Sequence, residues 1–264
     1  MLALGLAIIV VVGLGYYLFS PRYDTPGKLL SLLPQSDAIV FYADFQMLRT
    51  SGVLKLIEGA KSNQDADYQH FVSDTGFAYE RDLDAIGIAA LPNQIFAVVR
   101  GRFNWQRLRD SAIRQGGSCR NSYCQAPTNK PGRWLSFFLI RSNVMALAIS
   151  SDPNAAYLLL PRHGAPAVQV PLFPAWTRVP KRVLEHSESM PPAVQVFSKA
   201  LSSASQVTFG VEKGTGKSAF VIELLAPCDS EAQAEAVRDH LSSLTQLLES
   251  LASKGDRQVD GGLG

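Results

Sequence analysis

Residues 214–218 read Gly-Thr-Gly-Lys-Ser and match the end of a phosphate-binding loop. In such a loop, backbone amides surround a phosphate while the lysine side chain reaches its negative charge. The motif also requires a glycine at position 211, where this chain has Val211, and it must run from a strand into a helix. Both flanking segments here are predicted strands. We therefore predict a hairpin turn at this position, and no bound nucleotide.

Two acidic motifs are each incomplete. The triplet Asp74–Gly76 matches the Asp-Thr-Gly of aspartic proteases, in which two carboxylates share a proton, but no second triplet exists and a symmetric dimer would have to supply it. Asp82 and Asp84 match the start of a calcium loop, yet Ile86 stands where an oxygen ligand is required and no glutamate completes the spacing. We predict a helix end and a solvated turn at these two places.

The histidines do not form a recognisable site. His70, His163, His186 and His240 are scattered, and the chain contains neither HExxH nor GxSxG. Structural roles are the expectation for all four. We predict no catalytic, cofactor-binding or metal-binding residue.

Cys119 and Cys124 flank the short sequence RNSY and are placed to close a small disulfide loop. Such a bond persists outside a reducing cytosol, which favours an extracytoplasmic location. A zinc site would need further cysteine or histidine ligands nearby, and none completes a tetrahedral set. Cys228 is expected to be a buried residue or a free thiol.

The charge balance excludes a dedicated nucleic-acid surface, because the net charge is only +2 and the sequence pI is about 8.4. The densest basic run is predicted to be mostly the polar face of a helix, with an anion site as the alternative. It comprises Arg100, Arg102, Arg107, Arg109, Arg114 and Arg120.

The eighteen residues Leu2–Phe19 carry no charge and predict a transmembrane helix. At about 1.5 Å rise per residue they reach roughly 27 Å, close to the hydrocarbon thickness of a bilayer. Tyr16 and Tyr17 lie at the downstream end, where aromatic rings favour the headgroup layer, and Pro21 ends the segment. The lipid bilayer is thus a predicted partner of residues 2–19.

The alternative for this segment is a cleaved signal peptide, which needs a basic n-region and small residues before the cut. No Lys or Arg precedes the apolar run, and a cut after Ser20 would put Leu18 at position −3. Arg22 and Lys28 favour a cytoplasmic C-terminal side, whereas the cysteine pair favours the opposite. We predict a single-pass inner-membrane protein with a periplasmic soluble part.

The periodicity of the remaining chain predicts an α+β fold. Strand patterns cover residues 38–45 and form hairpins at 85–103, 134–149 and 206–225. Asn104 is a predicted N-cap for the helix that carries Leu108 and Ala112, and Ser230 with Gln233 is a predicted capping box for the last helix. The order strand, turn, strand, helix occurs in both parts of the chain, which predicts two similar antiparallel-sheet halves with helices on one face.

The composition divides the chain into six predicted regions. They are the anchor 1–20, an amphipathic connector 21–36, a first α+β half 37–160, a proline-rich linker 161–192, a second α+β half 193–254 and a disordered tail 255–264.

Three passages, Ser31–Ile57, Asp74–Ala90 and Gln206–Leu248, are similar to uncharacterised bacterial membrane-anchored proteins of acidobacterial type. The similarity lies in core and turn residues and not in a reactive motif. It implies a single anchor and a duplicated α+β domain, and it implies no activity. We therefore predict a binding or scaffold protein with an unknown protein or lipid partner. The alternative is an anchored hydrolase whose site is assembled from distant residues.

Overall fold

The computed structural model describes residues 23–54, 66–162, 164–186, 192–214, 220–243 and 246. Ten strands lie within this part of the chain. They are β1 (Ile39–Asp44), β2 (Leu83–Leu91), β3 (Gln94–Gly101), β4 (Ser118–Arg120), β5 (Tyr123–Pro127), β6 (Trp134–Arg141), β7 (Val144–Ser150), β8 (Ala175–Pro180), β9 (Gln206–Lys213) and β10 (Phe220–Leu225). All of them belong to one antiparallel sheet with the order β10-β9-β8-β1-β2-β3-β7-β6-β5-β4.

Helices connect these strands. They are α1 (Pro26–Leu30), α2 (Phe45–Ser51), α3 (Ala66–Thr75), α4 (Tyr79–Asp82), α5 (Trp105–Arg114), α6 (Lys181–Glu185), α7 (Pro192–Leu201) and α8 (residues 231–243), with a short 3-10 helix at Ala155–Leu159. The fold is therefore α+β, as the sequence predicts, and its strands form one large antiparallel sheet.

Local sequence explains the hairpins. Residues of β2 alternate between more and less buried, as a strand with one core face does. Between β2 and β3, Pro92 fixes one backbone angle of the turn and Asn93 adopts φ 63°, a value that asparagine tolerates well. All three predicted hairpins are confirmed by strand pairing, including β9 with β10 on either side of residue 214.

Helix starts follow the predicted caps. The Asn104 side chain accepts a hydrogen bond of 3.1 Å from the Arg107 amide at the start of α5. At α8, the Ser230 hydroxyl accepts one of 3.3 Å from the Gln233 amide, and the Gln233 side chain accepts one from the amide of Asp229. Both caps satisfy amides that have no partner inside the helix.

The largest core lies on one face of the sheet, between the strands and residues 23–33. Leu29 and Leu30 are fully buried there, so the connector predicted to be amphipathic is a core element. Sheet residues such as Val40, Phe96 and Trp176 form the other side of this core. Four buried leucines of the connector, at positions 29, 30, 32 and 33, thus pack it against the sheet.

Three smaller apolar clusters lie on the opposite face, each beneath a helix. Leu108 of α5 packs on Phe137, and Leu48 of α2 packs on Ala43. Val237 of α8 packs near Val207 of β9. Helices thus cover one face in separate places, while the connector and loops cover the other.

The predicted division into two halves requires correction. The range 161–192 contains β8 and α6, and β8 pairs with β1 on one side and β9 on the other. The strands of both predicted halves therefore belong to one sheet. Prolines reduce the strand signal near β8, but its second residue, Trp176, is only 2% exposed.

The predicted anchor Leu2–Phe19 and tail 255–264 lie outside the described residues. Among those that are described, no helix is both long enough and apolar enough to cross a membrane.

Candidate ligand cavity

A cavity of about 950 Å³ lies between the connector and the proline-rich segment that follows the 3-10 helix. Small-molecule sites in proteins usually enclose roughly 300–1,000 Å³. Its lining includes Tyr23 and runs through residues 31–36, 158, 160–162 and 164–168. The cavity thus begins where the chain leaves the predicted anchor.

The floor of the cavity is apolar. Leu32, Leu33 and Phe96 line it and are 8%, 4% and 1% exposed. Leu158 and Leu160 line the rim and remain 60% and 49% exposed. A ligand with apolar surface would cover them.

The second wall is formed by residues 161–162 and 164–168 of the proline-rich segment, which contacts the connector. The Val168 amide donates a hydrogen bond of 3.0 Å to the carbonyl oxygen of Gly27. A methyl group added at Gly27 would lie 2.3 Å from the carbonyl oxygen of Val168, so only glycine fits here without a shift. Further along, Arg178 donates to the carbonyl oxygen of Gln169 at 3.2 Å. The described residues 164–168 have no regular secondary structure, and these two contacts fix the chain at their C-terminal end.

The polar lining is basic. Lys28 and Arg162 both line the cavity and are exposed, and no Asp or Glu belongs to its described lining. Within the described residues, neither cation takes part in a salt bridge. Gln35 is less available, because its amide donates to the carbonyl oxygens of Leu30 and Leu33. The free polar groups of the cavity therefore favour an anionic ligand group.

Tyr23 is fixed by a neighbouring arginine. The Arg100 guanidinium donates to the carbonyl oxygens of Tyr23 and Asp24, at 3.3 and 2.7 Å. The Tyr23 ring is 7% exposed, and burial raises the pKa of its hydroxyl. Arg100, a residue of β3, therefore holds the start of the connector in place and does not belong to the helix face predicted for the basic run.

Within the described residues, a grouping that resembles a hydrolase triad involves His70, Asp74 and Ser111. His70 Nδ1 lies 3.9 Å from the Asp74 carboxylate, beyond hydrogen-bonding distance, and the His70 side chain is 75% exposed. Ser111 donates to Asp74 at 3.4 Å and does not bond to His70. Arg114, 3.1 Å from Asp74, holds the pKa of this carboxyl below its usual value. The aspartate thus pairs with an arginine, and the serine lacks an adjacent base.

Asp82 lines a smaller cavity of about 270 Å³. Its carboxylate accepts hydrogen bonds from Arg81, Arg102 and the Ala78 amide, at 2.7, 3.3 and 3.1 Å. The hydrogen bond from Arg81 is the main cause of a lowered Asp82 pKa. These contacts join α4 to Arg102, which follows β3. The prediction of a solvated turn at Asp82 is therefore wrong, because this side chain is buried and hydrogen-bonded.

Other residues singled out in the sequence lie apart. Asp84 pairs with Arg49 at 3.4 Å, and His186 Nδ1 lies 2.9 Å from a carbonyl oxygen of its own helix. His163 and the residues 215–218 fall outside the described part. Among the residues that are described, no group of three or more His, Cys, Asp or Glu could hold a metal ion.

Cys119 and Cys124 lie directly opposite each other in β4 and β5, joined by a disulfide. Cys228 is a free thiol. The predicted cysteine loop is thus a β-hairpin at the edge of the sheet, whose two-residue turn places Asn121 at φ 53°. Its three-residue first strand is too short for a periodic pattern to reveal.

Sequence reasoning missed the cavity, because its residues carry no reactive pattern. One signal was present in the chain. Gly27 lies inside the short helix of the amphipathic connector, and a glycine inside a short helix often marks a close approach of another backbone.

No protein-family profile matches the chain, and no curated protein does. Among solved structures, crystal form I of TP0453 is 10% identical, with a TM-score of 0.41, and the match covers 84% of this chain and 99% of that one. Crystal form III of TP0453 is 9% identical, with a TM-score of 0.42 and coverages of 76% and 80%. Because both values are so low, the likeness supports no conclusion about this chain.

Proposed function

We propose that this chain is a membrane-anchored extracytoplasmic protein that binds a ligand in the cavity between its connector and its proline-rich segment. The observation that carries the proposal is the position of that cavity. Its lining begins at Tyr23, four residues after the end of the apolar run Leu2–Phe19. An extended chain of four residues spans at most about 14 Å. A retained anchor would therefore hold the cavity close to the bilayer.

The disulfide supports the extracytoplasmic side. Cys119 and Cys124 pair across two neighbouring strands. Because a reducing cytosol keeps thiols reduced, this bond would persist in an oxidising compartment such as the periplasm.

An anchored hydrolase is the competing function. Nucleophilic catalysis needs a base within about 3.2 Å of the nucleophile. In the described part of the chain, the side-chain partners of Ser111 are Asp74, at 3.4 Å, and Gln115. A fluorophosphonate probe, which labels activated serines, is expected to leave the full-length protein unlabelled. Covalent labelling that disappears in Ser111→Ala would favour the hydrolase instead.

Anchoring is tested by the mass and topology of the mature protein. We expect the intact mass of the membrane fraction to include residues 2–19, and protease added to spheroplasts to digest the soluble part. A soluble form that begins near residue 16 or 21 would contradict the anchor. A soluble part protected until the inner membrane is lysed would contradict the orientation.

Binding is tested by photo-crosslinking in membranes. A photoactivatable side chain at Leu160, on the cavity rim, is expected to form an adduct. The same side chain at the exposed position Gln106 of α5 serves as the control. Equal adducts at both positions, or none at Leu160, would count against the cavity as a ligand site.

A further inference from the structure

We infer that the cavity takes one acyl chain of an anionic membrane lipid, with the lipid's negative group at Lys28 and Arg162. The inference rests on the proposed function and specifies its ligand. Three properties of the cavity lead to it: its apolar floor, its basic rim and its distance from the predicted anchor.

The floor favours a hydrocarbon chain. Leu32, Leu33 and Phe96 present buried apolar surface, and the rim leucines Leu158 and Leu160 extend that surface outwards. Pro161 and Pro166 in the second wall have no backbone N–H, so this wall offers fewer donors that a hydrocarbon would leave unsatisfied.

The rim favours a negative group. Lys28 and Arg162 come from opposite walls, the connector and the proline-rich segment, and both are exposed. Because no carboxylate belongs to the described lining, nothing there neutralises them. Clusters of Lys and Arg near a membrane attract anionic lipids.

The distance from the anchor favours a lipid over a soluble anion. Tyr23 lies within about 14 Å of the end of the predicted span, if the chain between them is fully extended. Bilayer lipids are therefore always close to the cavity. A soluble anion would also make no favourable contact with the apolar floor or the exposed leucines.

The test uses the full-length protein in phosphatidylcholine nanodiscs that contain a small fraction of photoactivatable phosphatidylglycerol, with the reactive group on its acyl chain. Peptide mass spectrometry then maps the labelled residues. We expect labels in residues 29–33 or 158–168, and in the anchor. A phosphatidylcholine probe with the same chain should label the anchor equally but the cavity about tenfold less.

The double variant Lys28→Ala/Arg162→Ala should reduce cavity labelling by phosphatidylglycerol about tenfold and leave anchor labelling unchanged. Arg120→Ala/Lys130→Ala is the matched control, since it removes two exposed cations that do not line the cavity. Leu160→Glu adds a negative charge to the rim without touching the buried core, and it should also reduce labelling.

Three results would overturn the lipid assignment. One is equal cavity labelling by the two probes, and another is unchanged labelling in the double variant. The third is loss of cavity labelling on adding inorganic phosphate, but not sodium chloride of equal ionic strength, which would indicate a general phosphate site. Labels in the anchor alone would contradict lipid binding in the cavity and would still agree with the predicted anchor. No labels anywhere would contradict the proposed function as well.

Discussion

Asp82 stabilises the fold through charge. Its side chain is 10% exposed and accepts hydrogen bonds from two arginines and one backbone amide. Buried carboxylates need such partners, because an ionised group without them is costly to remove from water. The same contacts favour the ionised form, which is why the Asp82 pKa is lowered.

We predict that Asp82→Asn lowers the free energy of unfolding at neutral pH by about 2 kcal/mol, the scale of a lost charged hydrogen bond. Since the folded-state pKa is depressed, the contribution of Asp82 is present above about pH 4 and is lost as the pH falls below that value. Urea unfolding at several pH values checks this. The difference between the two proteins should shrink in acid, and a constant difference would contradict the assignment.

The cysteine pair predicts a dependence on redox conditions. Reduction of the Cys119–Cys124 bond, or the variant Cys119→Ser/Cys124→Ser, should lower the free energy of unfolding by about 2 kcal/mol, as expected for a short closed loop. Urea unfolding with and without reductant measures the effect. Cys228→Ser is the control and should respond to reductant as the wild type does. Mass spectrometry of protein taken directly from cells would show whether the bond forms there.

At the scale of elements, the close approach of Gly27 to Val168 holds the connector against the proline-rich segment. Gly27 lies within the helix α1, where replacement by alanine would ordinarily increase stability by roughly 0.5–1 kcal/mol. Here the new methyl group would meet a backbone oxygen. Packing and helix propensity thus predict effects of opposite sign.

We predict that the steric clash with Val168 outweighs the gain in helix propensity, so that Gly27→Ala lowers the free energy of unfolding by about 1–3 kcal/mol. Limited proteolysis should also cut residues 161–168 faster than in the wild type. The neighbouring exposed residue serves as the control, because Lys28→Ala changes the same helix without touching Val168. Unchanged or increased stability in Gly27→Ala would mean that the two segments separate easily.

Elements with strong local signals could be predicted from the sequence. The three hairpins carry alternating or continuous apolar runs joined by short turns, and Asn104 and Ser230 cap their helices as expected. β8 was missed because prolines surround it and because its partners β1 and β9 are distant in sequence. The cavity was missed for the same reason, since its two walls are separated by more than a hundred residues and no spacing rule joins them.

At the scale of the whole molecule, β8 joins the strands into one sheet, whereas the internal repeat in the sequence predicts two separate sheets. Trp176 in β8 belongs to the main core and packs near Tyr42, with their ring centroids 5.9 Å apart. Phe173, just before β8, lies directly over Gly210 of β9, where an added methyl group would be 2.1 Å from the ring. The two parts of the chain therefore share side-chain packing as well as backbone hydrogen bonds.

We predict that residues 21–160, the predicted first half with its connector, do not fold alone, because β1 would lose a partner strand and the core would lose Trp176. The longer chain 21–254 should unfold in one cooperative transition. Circular dichroism and hydrogen exchange on the two proteins test this. A cooperative transition and protected amides in residues 21–160 would restore the two-domain interpretation.

The position of β1 within the sheet also affects how the protein is made. β1 is the first described strand to be synthesised, yet one of its neighbours begins only at Ala175. At a synthesis rate of about 5–20 residues per second, that edge of β1 remains unpaired for on the order of ten seconds. An open apolar edge is a template for pairing with other chains. A nascent chain that stalls before Ala175 can therefore aggregate through β1. Ribosome pausing in the proline-rich segment would lengthen the time during which this edge of β1 is unpaired.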